Sequence, residues 1–385
     1  MKTIVLVTDI AFWENNFGSH MRIQSLVRYL AQHHTVTVFF LRTLPADARG
    51  AMANAGLRNV SLVGYKDYSG RRKPFTKDLC RMACFADRAV DDFVSSLMAF
   101  LAERPADMII LEYIRLAYLL DGCRDDTPTV LDMHDVMSAR TISLRRAGLK
   151  PSIELPLAEE RVLLSRFDQV LAISRADVEH VVESIGLSNV IYAPYSVPKV
   201  RRHDCRGDGR RLIFVGANSA PNVEGLRWFL AQVWPLLQSD DFRLDVVGTV
   251  CDAFPRPPDG VVRRGQQDDL ANCLDEADIA INPVFVGGGL KIKCIDSLAA
   301  GLPCITTAEG AAGLEAARGR GLFVASTRLD FAAAIRYLSR SPEDRRLVAK
   351  LAPQFVDNEF TDGSAYRHLA RYIDSCFTRP APISA

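Results

Sequence analysis

Short, uninterrupted apolar runs alternate along this chain with longer stretches whose apolar positions recur at helical spacing. Ile4-Val5-Leu6-Val7-Thr8 is a β-branched run of the kind found in strands buried on both faces. A helical pattern through Met21, Ile23, Leu26, Val27 and Leu30 follows it, and then a second strand at Thr35–Phe40. Residues 59–63 predict a third strand. Residues 70–104 predict a helix, with Leu79, Met82, Ala83, Ala86, Val90, Phe93, Val94 and Leu97 on one face. Further strands are predicted at 108–111, Thr129–Asp132, 169–173 and Val190–Tyr192. This alternation predicts an α/β domain with a parallel, doubly wound sheet.

The rhythm breaks over residues 194–209. Prolines, then Lys199, Arg201, Arg202, His203 and Asp204, and finally glycines leave no periodic apolar face there. It restarts with Arg211-Leu212-Ile213-Phe214-Val215-Gly216 and runs through predicted strands at Arg243–Val247, 261–263, Ile279–Asn282, Cys304–Thr306 and Leu322–Val324. A terminal helix is expected at 365–377. The expected division is a first Rossmann-like domain at 1–195, a linker at 196–209, a second domain at 210–362, and a helix and tail at 363–385. Such paired sheets bind ligands in the crevice beyond the carboxyl ends of their strands.

Composition narrows the classes. The chain has 385 residues, enough for two such domains, with 48% hydrophobic and 24% charged residues. A net charge of +1 with interleaved signs gives no footprint for nucleic acid. No stretch approaches the roughly 18 apolar residues of a spanning helix, and Asp9 closes the first apolar run too early for a signal peptide. The nine cysteines lack paired ligand spacing, so free thiols in a reducing, cytoplasmic compartment are expected. Tyr68, Arg71, Arg72, Lys73, Phe75, Lys77 and Arg81 form a basic segment. It reads first as a solvated helix start, and second as a peripheral contact for an anionic membrane face or a polyanionic acceptor.

The densest chemistry follows the strand Ile279–Asn282. Pro283 leaves it, Gly287, Gly288 and Gly289 form a turn, and a helix is expected from Leu290 to Gly301. Three glycines let backbone approach a ligand closely, and a helix start offers free N–H groups to an anion. Lys291 and Lys293 lie where a helix dipole disfavours cations, which makes sense if an anion sits there. Asp296 can accept two hydroxyl hydrogen bonds, as from a ribose diol. Read without a ligand, the segment is a glycine turn with solvated lysines and an ion pair.

The order of these features resembles the retaining glycosyltransferases of family 4, glycosyl transferases group 1. The resemblance rests on Pro283, the three glycines, Asp296, the run Ala299-Ala300-Gly301-Leu302-Pro303-Cys304-Ile305-Thr306-Thr307, Gly310, Gly313, Phe214-Val215-Gly216 and Asp245-Val246-Val247-Gly248. It implies a GT-B fold and a nucleotide-diphosphate sugar as donor. It also implies transfer to a glycan, lipid-linked or other hydroxyl acceptor with retention of anomeric configuration. No cofactor is expected, and no obligatory metal, since no Asp-x-Asp occurs.

The resemblance gives Gly18 and Gly216 a place beside the donor, Asp296 the ribose, and His134 a contact to the donor sugar, with Asp135 as its partner or an acceptor contact. Departures are specific. Gly288 stands where the first residue of the usual acidic pair would be, and Ala217 and Asn222 stand where diphosphate-binding Arg and Lys are common. Lys291 and Lys293 are the expected substitutes, ahead of Arg227, because an uncompensated buried anion is costly. Arg22, Glu112 and Arg140, with Glu159 and Glu160 behind them, are candidate acceptor contacts. Two other readings fit the same architecture, a nucleotide-sugar epimerase and a non-catalytic glycan- or partner-binding homologue. An NAD enzyme fits less well, since no Gly-x-Gly-x-x-Gly follows either opening strand.

Overall fold

The strands form where the β-branched and apolar runs lie, because a parallel sheet covered on both faces needs apolar side chains at successive positions. In β1 (Thr3–Thr8), Ile4 and Leu6 enter one core while Val5 and Val7 enter the core on the opposite face. The computed structural model describes residues 1–14, 17–70, 90–151, 153–198, 207–267 and 269–378. The other strands of the first sheet are β2 (Thr35–Phe40), β3 (Ser61–Gly64), β4 (Met108–Glu112), β5 (Thr129–Asp132), β6 (Gln169–Ala172) and β7 (Val190–Tyr192). The order is β3-β2-β1-β4-β5-β6-β7, and every pairing is parallel.

The second sheet comprises β8 (Arg211–Val215), β9 (Arg243–Val247), β10 (Val261–Gly265), β11 (Ile279–Asn282), β12 (Cys304–Thr306) and β13 (Leu322–Val324), in the order β10-β9-β8-β11-β12-β13, again all parallel. Two Rossmann-like α/β halves of GT-B form result. In each, the strand order reverses beside the opening strand, between β1 and β4 and between β8 and β11. The loops leaving those strands frame a crevice.

Helices differ from expectation mainly at their ends. The helix after β11 is Ile292–Ala300, with Lys291 (φ −85°, ψ 89°) outside it as the N-terminal cap; it stops at Gly301, whose φ of 86° is the left-handed C-terminal cap. In the described part of the long predicted helix, Asp91–Glu103 is helical. Its Leu79–Ala86 face, the basic residues from Arg71 to Arg81 and the polar middle of the linker lie outside the described residues. The chain's last helices, Asp362–Ala365 and Arg367–Thr378, return to the first half, where Tyr366, Leu369 and Ile373 join a core with Ile23, Leu26 and Tyr29. Ser25 Oγ and Tyr366 Oη meet at 2.5 Å in that core. No described helix is long and apolar enough to cross a membrane.

Candidate active site

On the second half, β11 hands over to Pro283 and the glycine turn. Gly287 at φ 133° and Gly289 at φ 64° occupy backbone regions that side chains disfavour, so the turn needs its glycines. Lys291 Nζ donates to the carbonyls of Gly288 (3.2 Å) and Gly289 (3.0 Å) and lies 3.6 Å from Glu309. The helix Ile292–Ala300 starts next, with no carboxylate in its first turn. Lys293 Nζ donates to Asn222 Oδ1 at 2.6 Å and lies 4.5 Å from the centre of the Phe214 ring. Burial lowers its pKa to about 8. Asn222 in turn donates to the Ala217 carbonyl at 2.9 Å. Asp296 accepts from Tyr195 Oη at 3.1 Å, and loss of water around it raises its pKa to about 7.

These groups line one cleft of about 660 Å³ between the sheets. Gly18, Gly216, Asn222, Gly287, Gly288, Gly289, Leu290, Lys291, Lys293 and Asp296 all face it, as do Arg22, His134, Asp135 and Arg140. Its apolar end, where Val215, Val247, Leu270 and Leu274 sit beside Gln266 and Gln267, carried no signal in the sequence.

On the first half, the helix Gly18–His33 points its start at the second half. A Cβ on Gly18 would lie 3.5 Å from Ile292 Cδ1, so the two helix starts meet across the cleft. Neither has an acidic residue in its first turn. The Gly287 N–H reaches Ser143 Oγ at 3.4 Å, and Gln266 reaches the Glu14 carbonyl at 3.3 Å, both across the same gap.

His134 follows β5 as Tyr113 follows β4, and the register pairs Glu112 with Asp132. Tyr113 (φ 69°) and His134 (φ 63°) are both left-handed without being glycine, a strain that persists only where the surroundings hold it. Their rings stack at 3.9 Å with an 8° angle between planes. His134 Nε2 lies 2.7 Å from Glu112 Oε2. Burial, with the neighbouring Asp132 carboxylate, raises the Glu112 pKa to about 7. Strand-end position was the one available signal for Tyr113.

Three expectations are corrected by this geometry. Glu112 is wholly buried beneath His134 and does not face the cleft, so it is no acceptor contact. The partner of His134 is therefore Glu112, whereas Asp135 turns to Arg140, whose Nε is 3.6 Å from its Oδ2. Arg22 borders the cleft with its guanidinium committed to Asp132, through Nε at 3.0 Å and Nη2 at 2.9 Å, both side chains fully buried. Arg22 lies on the helix face that also buries Ser25, Leu26 and Tyr29, where a guanidinium needs an internal carboxylate as partner.

Glu160 is also structural, because its carboxylate accepts the N–H groups of Met137 (2.6 Å) and Ser138 (3.0 Å) at a helix start. Arg227 pairs with Glu224 on the surface, outside the cleft. Glu112, Asp132 and His134 bring ligand atoms within 4.8 Å of one another, as a metal site would, yet Arg22 already supplies Asp132 with a cation.

Comparison with known proteins agrees with this architecture. The family model "Glycosyl transferases group 1" matches residues 209–341, and the "Glycosyl transferase 4-like domain" model matches residues 17–196. A Klebsiella pneumoniae protein described as an uncharacterized 44.6 kDa protein in the cps region is 25% identical over 212 residues. That match takes in 51% of this chain and 53% of the relative, so the chain spans about half the length of the curated relative it matches. Among solved structures, sucrose-phosphate synthase from Thermosynechococcus elongatus superposes with a TM-score of 0.74 at 14% identity, covering 98% of this chain and 99% of that one. HepE from Anabaena, solved with UDP and glucose, superposes with a TM-score of 0.71 at 13% identity, covering 97% and 100%. These two likenesses concern the fold. With one family model on each half and the motifs of the second half gathered at one cleft, the chain belongs to the group 1 glycosyl transferases.

Proposed function

We propose that this protein transfers a sugar from a nucleoside-diphosphate donor to a hydroxyl of a glycan or lipid-linked acceptor, with retention of anomeric configuration. The observation that carries the reading is the alignment, along one cleft, of Asp296, Lys293, the glycine turn and His134. The apolar end by Val247, Leu270 and Leu274 suits a nucleobase, with Gln266 and Gln267 at its edge. The Asp296 carboxylate suits the ribose diol, and two helix starts with Lys291 and Lys293 suit the diphosphate. The sugar then extends toward His134 and Asp135. The UDP and glucose held by HepE support a uridine donor, and the cps-region relative supports a polysaccharide acceptor.

In the reaction, the bond from the anomeric carbon to the phosphate oxygen breaks and the bond to the acceptor oxygen forms on the same face. The acceptor proton passes to the departing diphosphate. Stabilising that diphosphate is the main electrostatic task, and cations and N–H groups fixed beforehand perform it without reorganisation. The test is incubation with UDP-glucose, UDP-N-acetylglucosamine or GDP-mannose, with and without an acceptor panel, read by mass spectrometry. Sugar transfer only with acceptor supports the proposal. Conversion of the donor's sugar without acceptor assigns the epimerase reading instead. Nucleotide binding with no turnover on any acceptor assigns the non-catalytic one.

A further inference from the structure

Among the described residues, the cleft is lined by three carboxylates, Asp135, Asp269 and Asp296. Two are engaged. Asp269 accepts from the Ala271 N–H at 2.9 Å as a helix cap, and Asp296 accepts from Tyr195 at 3.1 Å. Asp135 makes a 3.6 Å ion pair with Arg140 and, among the described residues, its carboxylate receives no hydrogen bond. Its position is tightly specified all the same. A Cβ on Gly288 would lie 2.9 Å from Asp135 Oδ1 and 3.2 Å from Arg140 Cβ. One on Gly289 would lie 2.7 Å from the same oxygen and 3.2 Å from the His134 carbonyl. Side chains on this turn would collide with the first half, so the glycines admit the Asp135 carboxylate directly against the turn.

We infer that Asp135 supplies, from the first half, the carboxylate that binds hydroxyls of the donor sugar, and so acts as a specificity-determining residue. The inference rests on the proposed sugar transfer and on its donor orientation. An anion this close to the turn cannot face the diphosphate without repulsion, whereas the neutral sugar next to it presents only hydroxyl donors and acceptors. A carboxylate can accept two of those hydroxyls in charge-assisted bonds. Lys291, bonded to the carbonyls of the same turn, is the cation available there to the diphosphate. The arrangement also makes sugar recognition depend on both halves being together, because neither half alone holds both the nucleotide groups and this carboxylate.

The test is calorimetric titration of wild type, Asp135→Asn and Asp135→Ser with UDP, GDP, UDP-glucose, UDP-N-acetylglucosamine and GDP-mannose, with melting temperature recorded for each variant. For the nucleotide sugar that wild type binds best, the Asn variant should raise Kd about tenfold or more, the loss expected for one charge-assisted bond. Its Kd for the matching nucleoside diphosphate should stay within about twofold. The Ser variant, with a shorter side chain and no charge, should give the same pattern. Equal weakening of sugar nucleotide and nucleoside diphosphate overturns the inference in favour of a role in holding the halves together. Unchanged binding of both overturns it as well, and tighter nucleoside diphosphate binding would show the carboxylate facing the phosphates. A wild type that binds none of the five ligands overturns the sugar-transfer reading itself, a result distinct from the others.

Discussion

Glu112 and His134 hold each other at 2.7 Å, from the ends of neighbouring strands, with the His134 ring lying flat on Tyr113. The imidazole at the cleft is thus oriented by a buried carboxyl on one side and an aromatic face on the other. Its backbone strain indicates that the surrounding fold, and not the loop's own preference, sets the position.

His134→Ala should lower kcat by about ten- to a thousandfold, the range for loss of one positioned polar group. The Kd for nucleoside diphosphate should change less than about twofold, since the nucleotide groups stand on the other half. Steady-state kinetics beside calorimetry check this, and a variant with full kcat would leave His134 a purely structural role.

Glu112→Gln tests the buried pair through stability. A carboxyl raised from 4.5 to about 7 binds its proton more tightly in the folded protein than in the unfolded one. The associated stability is therefore present below pH 4.5 and lost as pH rises toward 7 and beyond. Glutamine cannot titrate. The melting temperature of the variant minus that of wild type should be more positive at pH 8 than at pH 5. An unchanged difference across that range would show that Glu112 does not titrate there.

Donor affinity should pass through a maximum between about pH 7 and pH 8. Asp296, raised to about 7, must be ionised to accept ribose hydroxyls, so affinity should rise as pH increases through 7. Lys293, lowered to about 8, must keep its proton to hold phosphate, so affinity should fall above 8. UDP-glucose is the suitable probe because its diphosphate diester carries two negative charges throughout the range. Asp296→Asn should flatten the acid limb and Lys293→Arg the alkaline one, and a wild-type affinity independent of pH from 5.5 to 9.5 would refute both assignments.

Replacing Lys291 and Lys293 together by glutamine should weaken nucleoside diphosphate and nucleotide sugar alike. Charge-assisted bonds are worth about 1.5–3 kcal/mol each, so losing one lysine should cost about ten- to a hundredfold in Kd and losing both more. The nucleoside, lacking phosphate, should bind as before. Asp296→Asn should weaken all three. If the double variant binds nucleoside diphosphate like wild type, the helix starts alone suffice for the anion.

Gly225→Ala should destabilise the second half. The added Cβ would lie 2.4 Å from the Pro283 carbonyl oxygen and 3.0 Å from its carbon, both backbone atoms at the strand end that launches the glycine turn. Overpacking of this kind costs about 1–3 kcal/mol, which denaturant unfolding resolves. Because the turn would shift with Pro283, donor affinity should fall in the same variant.

Much was legible in the chain itself. Apolar runs such as Leu212-Ile213-Phe214-Val215 and Ile279-Ala280-Ile281 marked the strands, because a sheet covered on both faces favours apolar side chains at successive positions. The glycines, Lys291, Lys293 and Asp296 lie in one local segment, so strand, turn and helix alone place them at a carboxyl edge.

Partnerships between distant residues were decided only by the tertiary structure. Arg22 meets Asp132 across 110 positions, and Asp296 meets Tyr195 across 101. Glu112 lies in a strand and could not be assigned to interior or cleft by periodicity, since both faces of that strand are buried. Asp135 and Gly288 read as unrelated, because their proximity exists only once two separately folded halves meet. Local propensity fixes a backbone path over a few residues. It carries no information about which buried charge will find which partner, and desolvation makes that pairing obligatory only after the chain has closed around it.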